Sequence, residues 1–226
     1  MNTNKKTARV FGIFFILAYA TYIVGNVLTQ SLVNSPTSLS NVYEHKNQLA
    51  LGVILMTIVE TVFNMGFAII IFTKLKNWNK NIAYSFFCAA IMATLLLIVG
   101  GIFIILTVPL SEEYAKNGFV STPSLQQLSI LLYKGNYYTY QIAMSIWGIA
   151  GFLLSYLLFV SKIVPRYIAV WGFIGYFVFT SGTFFVLFGF SENVGIVMDI
   201  PGGLFELYLS IWVIVKGFRT VESPQN

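Results

Sequence analysis

Residues 49–72 read LALGVILMTIVETVFNMGFAIIIF, an apolar run with one acidic residue, Glu60, near its centre. At about 1.5 Å of rise per residue, roughly 20 helical residues cross a hydrocarbon core of ~30 Å. The run is therefore long enough to span a bilayer as a helix. A charged side chain at that depth costs at least about 2.5 kcal/mol. We therefore expect Glu60 to face other protein or a water-filled cavity, not lipid.

The composition of the whole chain is typical of a membrane protein. Of its 226 residues, 57% are hydrophobic and 9% are charged, whereas a soluble domain carries about 25% charged residues. The net charge of +5 comes from short basic clusters between apolar runs, a placement that indicates membrane orientation and not nucleic-acid binding. One Cys and one His exclude an intrachain disulfide and the usual zinc patterns. We expect no cofactor and no metal.

Six apolar runs predict an all-α integral membrane bundle of six transmembrane helices, forming a single domain over residues 1–226. The predicted spans are residues 10–29, 49–72, 82–108, 137–160, 167–190 and 194–215. Between the third and fourth spans, Pro123 with the leucines that follow it predicts a short surface helix. In the last span, Asp199 is expected near the helix cap and Pro201 in the first turn.

The basic residues predict the orientation of these spans. Alternate loops and termini on one side carry ten Lys and Arg residues, and those on the other side carry three, Lys46, Lys116 and Lys134. The ten are Lys5, Lys6, Arg9, Lys74, Lys76, Lys80, Lys162, Arg166, Lys216 and Arg219. Basic residues accumulate on the cytoplasmic side of membrane proteins. Both termini are therefore expected in the cytoplasm.

Three polar residues within the spans are candidates for a binding site: Glu60, Asn64 and Glu206. Asn64 lies one helical turn after Glu60 and shares its face. Glu206 is ten residues before Lys216, or ~15 Å from the cytoplasmic boundary, and Glu60 is fourteen residues before Lys74, or ~21 Å from it. The two carboxyls can share a proton if their helices are neighbours. The functional interpretation is a proton relay or cation site, and the structural one is a pair of protonated carboxyls that lock helices together.

The chain resembles a known family over most of its length, most closely over the fourth to sixth spans. The stretches Val164–Tyr176, Ile200–Leu207 and Trp212–Phe218 are similar to a family of bacterial six-span membrane proteins catalogued as a domain of unknown function, DUF4386. The resemblance implies a protein of the bacterial plasma membrane, and it implies no activity, substrate or catalytic residue. It also implies an Arg and a Glu early in the third span, where this chain has neither over Tyr84–Ala90.

Three classes of function remain open. The first is a protein that binds or transports a small molecule, lipid or ion in a cavity that opens outward, with the three candidate residues at its floor. The second is a structural or accessory membrane protein without transport activity. The third, a membrane-embedded enzyme, ranks last because no nucleophile, base and metal ligands are assembled in the sequence. The lipid bilayer is the expected partner, nucleic acid is not, and the oligomeric state is open.

Overall fold

The computed structural model describes residues 3–34 and 38–221, which are mostly helical, without a strand among them. The helices are α1 (Thr3–Val33), α2 (Ser38–Glu44), α3 (Lys46–Ile54), α4 (Glu60–Leu75), α5 (Lys80–Ile105), α6 (Thr107–Lys116), α7 (Pro123–Ser161), α8 (Arg166–Leu187) and α9 (Glu192–Lys216). A π-helical segment, Leu55–Val59, joins α3 to α4. The predicted all-α fold is confirmed.

Within the described part of the chain, six helical stretches are long and apolar enough to cross a membrane. They are Lys5–Val33, Lys46–Leu75, Lys80–Lys116, Pro123–Ser161, Arg166–Leu187 and Glu192–Lys216. Each contains or overlaps one of the six predicted spans. Large apolar side chains on these helices are exposed, among them Ile58 at 61%, Ile174 at 60% and Phe177 at 67%. Such a surface suits contact with lipid tails. Because lipid tails form no hydrogen bonds, the backbone groups of a span must bond to each other, as they do in a helix.

The prediction of a separate surface helix at Pro123 is wrong. Pro123 begins α7, which continues without a break for 39 residues to Ser161, a length of ~58 Å at 1.5 Å per residue. Gly135 lies inside α7 and does not end it, because a single helical glycine costs only about 1 kcal/mol. Packing compensates for that cost, since the ring of Phe103 from α5 occupies the space where a side chain at Gly135 would stand.

The prediction that Asp199 lies near a helix cap and Pro201 in the first turn is also wrong. Helix α9 begins at Glu192 with Ser191 as its N-cap residue, so that Asp199 and Pro201 both lie in the helix interior. Proline is tolerated inside membrane helices where a neighbouring helix packs closely against the disturbed turn. Here an added Cβ at Gly175 of α8 would lie 3.0 Å from the Pro201 carbonyl oxygen. The neighbouring helix supports the turn that proline weakens.

The described residues divide into two compact units, and the division crosses the long helices. The first unit takes its residues from Met1–Leu17, Val62–Ala93 and Gln141–Asn226, and the second from Ala18–Thr61 and Thr94–Tyr140. The first unit includes α8 and α9, which pack along each other through their small residues. The second unit has an apolar core of Leu32, Val33, Val42, Leu49, Met56 and Ile104. A single domain over residues 1–226 stays a prediction.

Candidate functional site

Glu206 lies on the protein-facing side of α9. Its side chain is 8% exposed, whereas Leu204 and Tyr208, two residues before and after it, are 52% and 37% exposed. Because successive helical residues are turned by about 100°, positions two residues away point to the opposite side. The lipid-facing side of this turn is therefore apolar or aromatic, and the acid is screened from lipid by its own protein.

Two hydrogen-bond donors converge on one oxygen of Glu206. The indole N–H of Trp147 in α7 donates to Oε1 at 2.8 Å, and the hydroxyl of Tyr176 in α8 donates to the same atom at 2.8 Å. No hydrogen bond to Oε2 is formed within the described residues. The carboxyl therefore connects three helices through Oε1 alone. We name this group, Glu206 with Trp147 and Tyr176, the Glu206 site.

Glycine in α7 determines where the Tyr176 ring lies. Tyr176 is fully buried, and its ring occupies the space where a side chain at Gly151 would stand. On α9 the ring of Phe205 packs edge-on against Tyr176, with 5.5 Å between ring centroids. Residues without a side chain let membrane helices approach closely. Here that approach brings the Tyr176 hydroxyl within hydrogen-bond distance of Glu206.

Aromatic rings from two further helices position Trp147. Phe15 of α1 and Phe67 of α4 pack against the indole at centroid distances of 6.4 and 5.9 Å, both in edge-to-face geometry. Phe15 and Phe67 are themselves stacked at 4.4 Å. Edge-to-face aromatic pairs add about 0.5–1.5 kcal/mol beyond the area they bury. The indole is therefore fixed on its apolar side and presents its N–H to the carboxyl.

A second acid, Asp199, lies on the same helix as Glu206. It precedes Glu206 by seven residues, which puts it on the same face at a distance of ~10.5 Å along the axis. The Asp199 carboxyl acts electrostatically on Glu206. Asp199 Oδ1 is buried without a hydrogen-bond partner among the described residues. Asp199 is therefore the acid that lies on the same helix face as Glu206. The sequence predicts Asp199 near a helix cap and does not indicate this pairing.

An open groove between α7 and α8 borders the Tyr176 ring. Its volume is about 200 Å³, and it is lined by Gly148, Ile149, Phe152, Tyr176, Phe177 and Thr180. The lining is almost entirely apolar, with the hydroxyl of Thr180 as a polar exception. Glu206 itself does not line this groove, so the Tyr176 ring separates the groove from the carboxyl.

Glu60 lies in the second unit, in different surroundings. It is the first residue of α4, directly after the π-helical segment, and is 4% exposed. Glu60 and Tyr140 of α7 both act electrostatically on Tyr22 of α1, and the rings of Tyr22 and Tyr140 stack at 5.9 Å with 17° between their planes. Short π-helical segments in membrane and soluble helices occur frequently at functional sites.

The three predicted site residues are divided between the two compact units. Asn64 is buried, with 6% exposure, and belongs to the first unit together with Glu206, whereas Glu60 belongs to the second. A shared cavity floor formed by all three stays a prediction. Sequence reasoning did not find Trp147 and Tyr176 as partners of Glu206. The signal that could have found them is the pair of glycines one turn apart in α7, Gly148 and Gly151.

The described residues contain no group of three or more His, Cys, Asp or Glu side chains that could hold a metal ion. In the comparison with known protein families, the family described as Domain of unknown function (DUF4386) matches residues 10–217. Among proteins with curated descriptions and among solved structures, none matches the chain.

Proposed function

Because the chain belongs to the DUF4386 family, whose function is unknown, we propose a function from the site alone. The protein is a multi-pass membrane protein that binds or transports a small molecule, lipid or ion at carboxyls within its membrane-spanning helices. One observation carries this proposal: the Glu206 carboxyl is buried at 8% exposure and accepts two hydrogen bonds on a single oxygen. Acids within membrane helices are costly, and they mark ion and substrate pathways.

The arrangement of donors favours exchange of a ligand over simple locking of helices. An indole N–H can only donate a hydrogen bond, so Trp147 uses Glu206 as an acceptor. Both donors reach Oε1, and Oε2 is therefore the oxygen at which a proton, a cation or a ligand hydroxyl can bind. A carboxyl that served only to connect helices would stabilise the protein more if both of its oxygens accepted hydrogen bonds.

Asp199 supplies the next step of a path along α9. It lies ~10.5 Å from Glu206 on the same face, and its Oδ1 is buried without a partner among the described residues. The segment between Arg166 and Lys216 contains no basic residue, so the two acids share no cationic neighbour on α8 or α9. We infer that a proton or cation passes from one carboxyl to the other.

The proposed location is the bacterial plasma membrane, with both termini in the cytoplasm. The ten-to-three distribution of Lys and Arg between the two sides supports this orientation. In that orientation Asp199 lies nearer the outer face and Glu206 nearer the cytoplasmic face of α9.

The alternative is an accessory membrane protein in which Glu206 is purely structural. The observation that favours it is the connection of α7, α8 and α9 through Oε1, because interhelical hydrogen bonds in membrane proteins contribute about 0.6 kcal/mol on average and up to ~1.7. On this alternative, the loss of Glu206 changes stability and nothing else.

Proton movement in vesicles separates the two proposals. The protein is reconstituted into liposomes that contain a pH-sensitive dye, and gradients of Na⁺, K⁺ or n-butylammonium are imposed. Glu206→Gln keeps an acceptor oxygen for Trp147 and Tyr176 but cannot ionise, and Glu192→Gln, at the exposed start of α9, is the matched control. We expect a change in lumenal pH with wild type and Glu192→Gln that is lost with Glu206→Gln. If wild type moves no protons and Glu206→Gln changes only the melting temperature of the protein, the accessory role is supported.

A further inference from the structure

Helix contacts around Glu60 begin with a close approach of α1 to α3 and the π-helical segment. An added Cβ at Gly25 would lie 2.5 Å from the Gly52 carbonyl oxygen and 2.7 Å from the backbone nitrogen of Met56. On the other side of the segment, the methyl group of Thr57 occupies the space where a side chain at Gly101 of α5 would stand. The π-helical segment is therefore enclosed between α1 and α5.

Helix α7 closes this arrangement from the remaining side. It meets α5 where an added Cβ at Gly100 would lie 3.1 Å from the Asn136 side-chain nitrogen. It meets α1 where Gln30 donates a hydrogen bond of 3.5 Å to Asn136 and where Tyr22 stacks on Tyr140. Each of the four elements thus contacts the next, from α1 through the π-helical segment and α5 to α7 and back to α1. We name this arrangement the four-helix ring.

The Glu60 side chain lies on the inner side of the ring. Ile58 and Val62, two residues before and after it, are each 61% exposed, whereas Glu60 is 4% exposed. Its carboxyl acts electrostatically on Tyr22, which contributes to the α1–α7 contact. A π-helical segment widens one turn and shifts the side chains that follow it, and such segments are frequent at functional sites. Here the shifted side chain is the acid.

The chemistry of this interior suits a positive charge. Tyrosine rings present a negative π-face that attracts an ammonium group, most strongly where water is excluded, and their hydroxyl oxygens accept hydrogen bonds. A carboxylate adds the full opposite charge. The sequence between Arg9 and His45, and between Lys46 and Lys74, contains no basic residue, and Lys134 of α7 is exposed. A ligand ammonium would bring the positive charge that these segments lack.

We propose that Glu60, Tyr22 and Tyr140, within the four-helix ring, form a binding site for the primary ammonium group of a small organic amine. The inference goes beyond the proposed function, because it names a ligand class and a site at a different carboxyl from Glu206. The carboxyl of Glu60 accepts hydrogen bonds from the ammonium, and the stacked pair of tyrosine rings lies against its charge. The alkyl part of the amine then lies toward the apolar core of the second unit, against which Tyr22 packs.

Binding of n-butylammonium, compared with its neutral counterpart 1-butanol, tests this site. The full chain in lipid nanodiscs is titrated with each compound, and the melting temperature and the heat of binding are recorded. We expect saturable binding of n-butylammonium with a rise in melting temperature, and neither effect with 1-butanol. Equal responses to the two compounds, or no response to either, overturn the inference. Na⁺ is tested at the same concentration. If Na⁺ raises the melting temperature as much as n-butylammonium does, the inference is also overturned, because the tyrosine rings then have no role.

Variants separate the charge from the rings. Glu60→Gln should weaken n-butylammonium binding about 30-fold or more, the usual effect of removing one member of a buried charge pair. Tyr22→Leu should weaken it roughly 3- to 30-fold through loss of the ring face, whereas Tyr22→Phe, which keeps that face, should stay within about threefold of wild type. If the Leu variant fails to fold, Glu60→Gln alone decides the test. Glu192→Gln, at the exposed start of α9, should bind as wild type does. Unchanged binding in Glu60→Gln overturns the site, and so does unchanged binding in a folded Tyr22→Leu variant.

The vesicle experiment keeps this inference distinct from the proposed function. A wild-type protein that moves protons in a Na⁺ or K⁺ gradient but does not bind n-butylammonium overturns the amine site and leaves the proposed function in place. A protein that binds n-butylammonium through Glu60 while Glu206→Gln changes nothing in vesicles supports the amine site and contradicts the role of Glu206.

Discussion

Replacement of Tyr176 by Phe is the sharpest single perturbation of the Glu206 site. The substitution removes one hydroxyl and leaves the ring where it is, fully buried against Gly151 and Phe205. The lost group donates a hydrogen bond of 2.8 Å to Glu206 Oε1, which retains only the bond from Trp147. The effect on stability therefore reports on this one hydrogen bond.

The expected loss of stability depends on the state of the carboxyl. A hydrogen bond between neutral groups contributes about 0.5–1.5 kcal/mol, and one to a charged group about 1.5–3 kcal/mol. Interhelical hydrogen bonds in membrane proteins lie at the low end of such ranges, up to ~1.7 kcal/mol. We expect a decrease of about 1–2 kcal/mol, which corresponds to a fall in melting temperature of roughly 2–8 °C for a chain of this size.

Thermal unfolding in nanodiscs measures this decrease, with Tyr156→Phe as the matched control. Tyr156 lies on α7 with 39% exposure, so that loss of its hydroxyl should change the melting temperature by less than about 1 °C. A double-mutant cycle with Glu206→Leu isolates the contact, because Leu accepts no hydrogen bond. Glu206→Gln, whose amide oxygen still accepts from the Tyr176 hydroxyl, reports on the negative charge. A smaller effect of Tyr176→Phe in the Gln background indicates that the carboxylate form strengthens the bond.

Two results would refute the reasoning. If Tyr176→Phe and Tyr156→Phe melt at the same temperature as wild type, the hydroxyl does not stabilise the protein through Glu206. If Tyr176→Phe costs as much in a Glu206→Leu background as in wild type, the hydroxyl has a partner other than the carboxyl.

Three further predictions concern the helix contacts and the orientation. Gly25→Ala places a methyl group 2.5 Å from the Gly52 carbonyl oxygen and should destabilise the protein by about 1–3 kcal/mol. A variant with the melting temperature of wild type would contradict the close approach of α1 to α3. Lys46→Ala removes an exposed ion pair of 3.8 Å to Glu112 and should cost less than about 1 kcal/mol, so that a loss above about 2 kcal/mol would show a stronger contact. A fluorescent protein that folds only in the cytoplasm, fused after Asn226, should be bright, and a dark fusion at normal expression would reverse the proposed topology.

The six spans could be predicted from the sequence because they depend on length and apolarity alone. A run of roughly 20 apolar residues has only a few stable forms in a bilayer. The burial of Glu60 and Glu206 followed from the same physics, since the cost of exposing a charge to lipid does not depend on which helices are neighbours. The structure confirms that both side chains are buried.

The partners of Glu206 could not be predicted in this way. Helices α7, α8 and α9 contain many aromatic residues, so that hydropathy does not distinguish Trp147 and Tyr176 from the other rings. Their contacts depend on the close approach that Gly151 permits, a property of two helices together. Similarly, the position of Pro201 inside a helix could not be predicted, because the contact that accompanies it comes from Gly175 on a different helix.

The carboxyl stretch of Glu206 in the infrared difference spectrum tests the central claim most directly. The protein in nanodiscs is compared before and after a change of pH or of cation concentration, and the wild-type difference spectrum is compared with that of Glu206→Gln. If Glu206 exchanges a proton or cation at Oε2, the wild-type spectrum contains a carboxyl band that is missing from Glu206→Gln and present in Glu192→Gln. Identical difference spectra for wild type and Glu206→Gln would contradict the account and leave Glu206 as a link between helices.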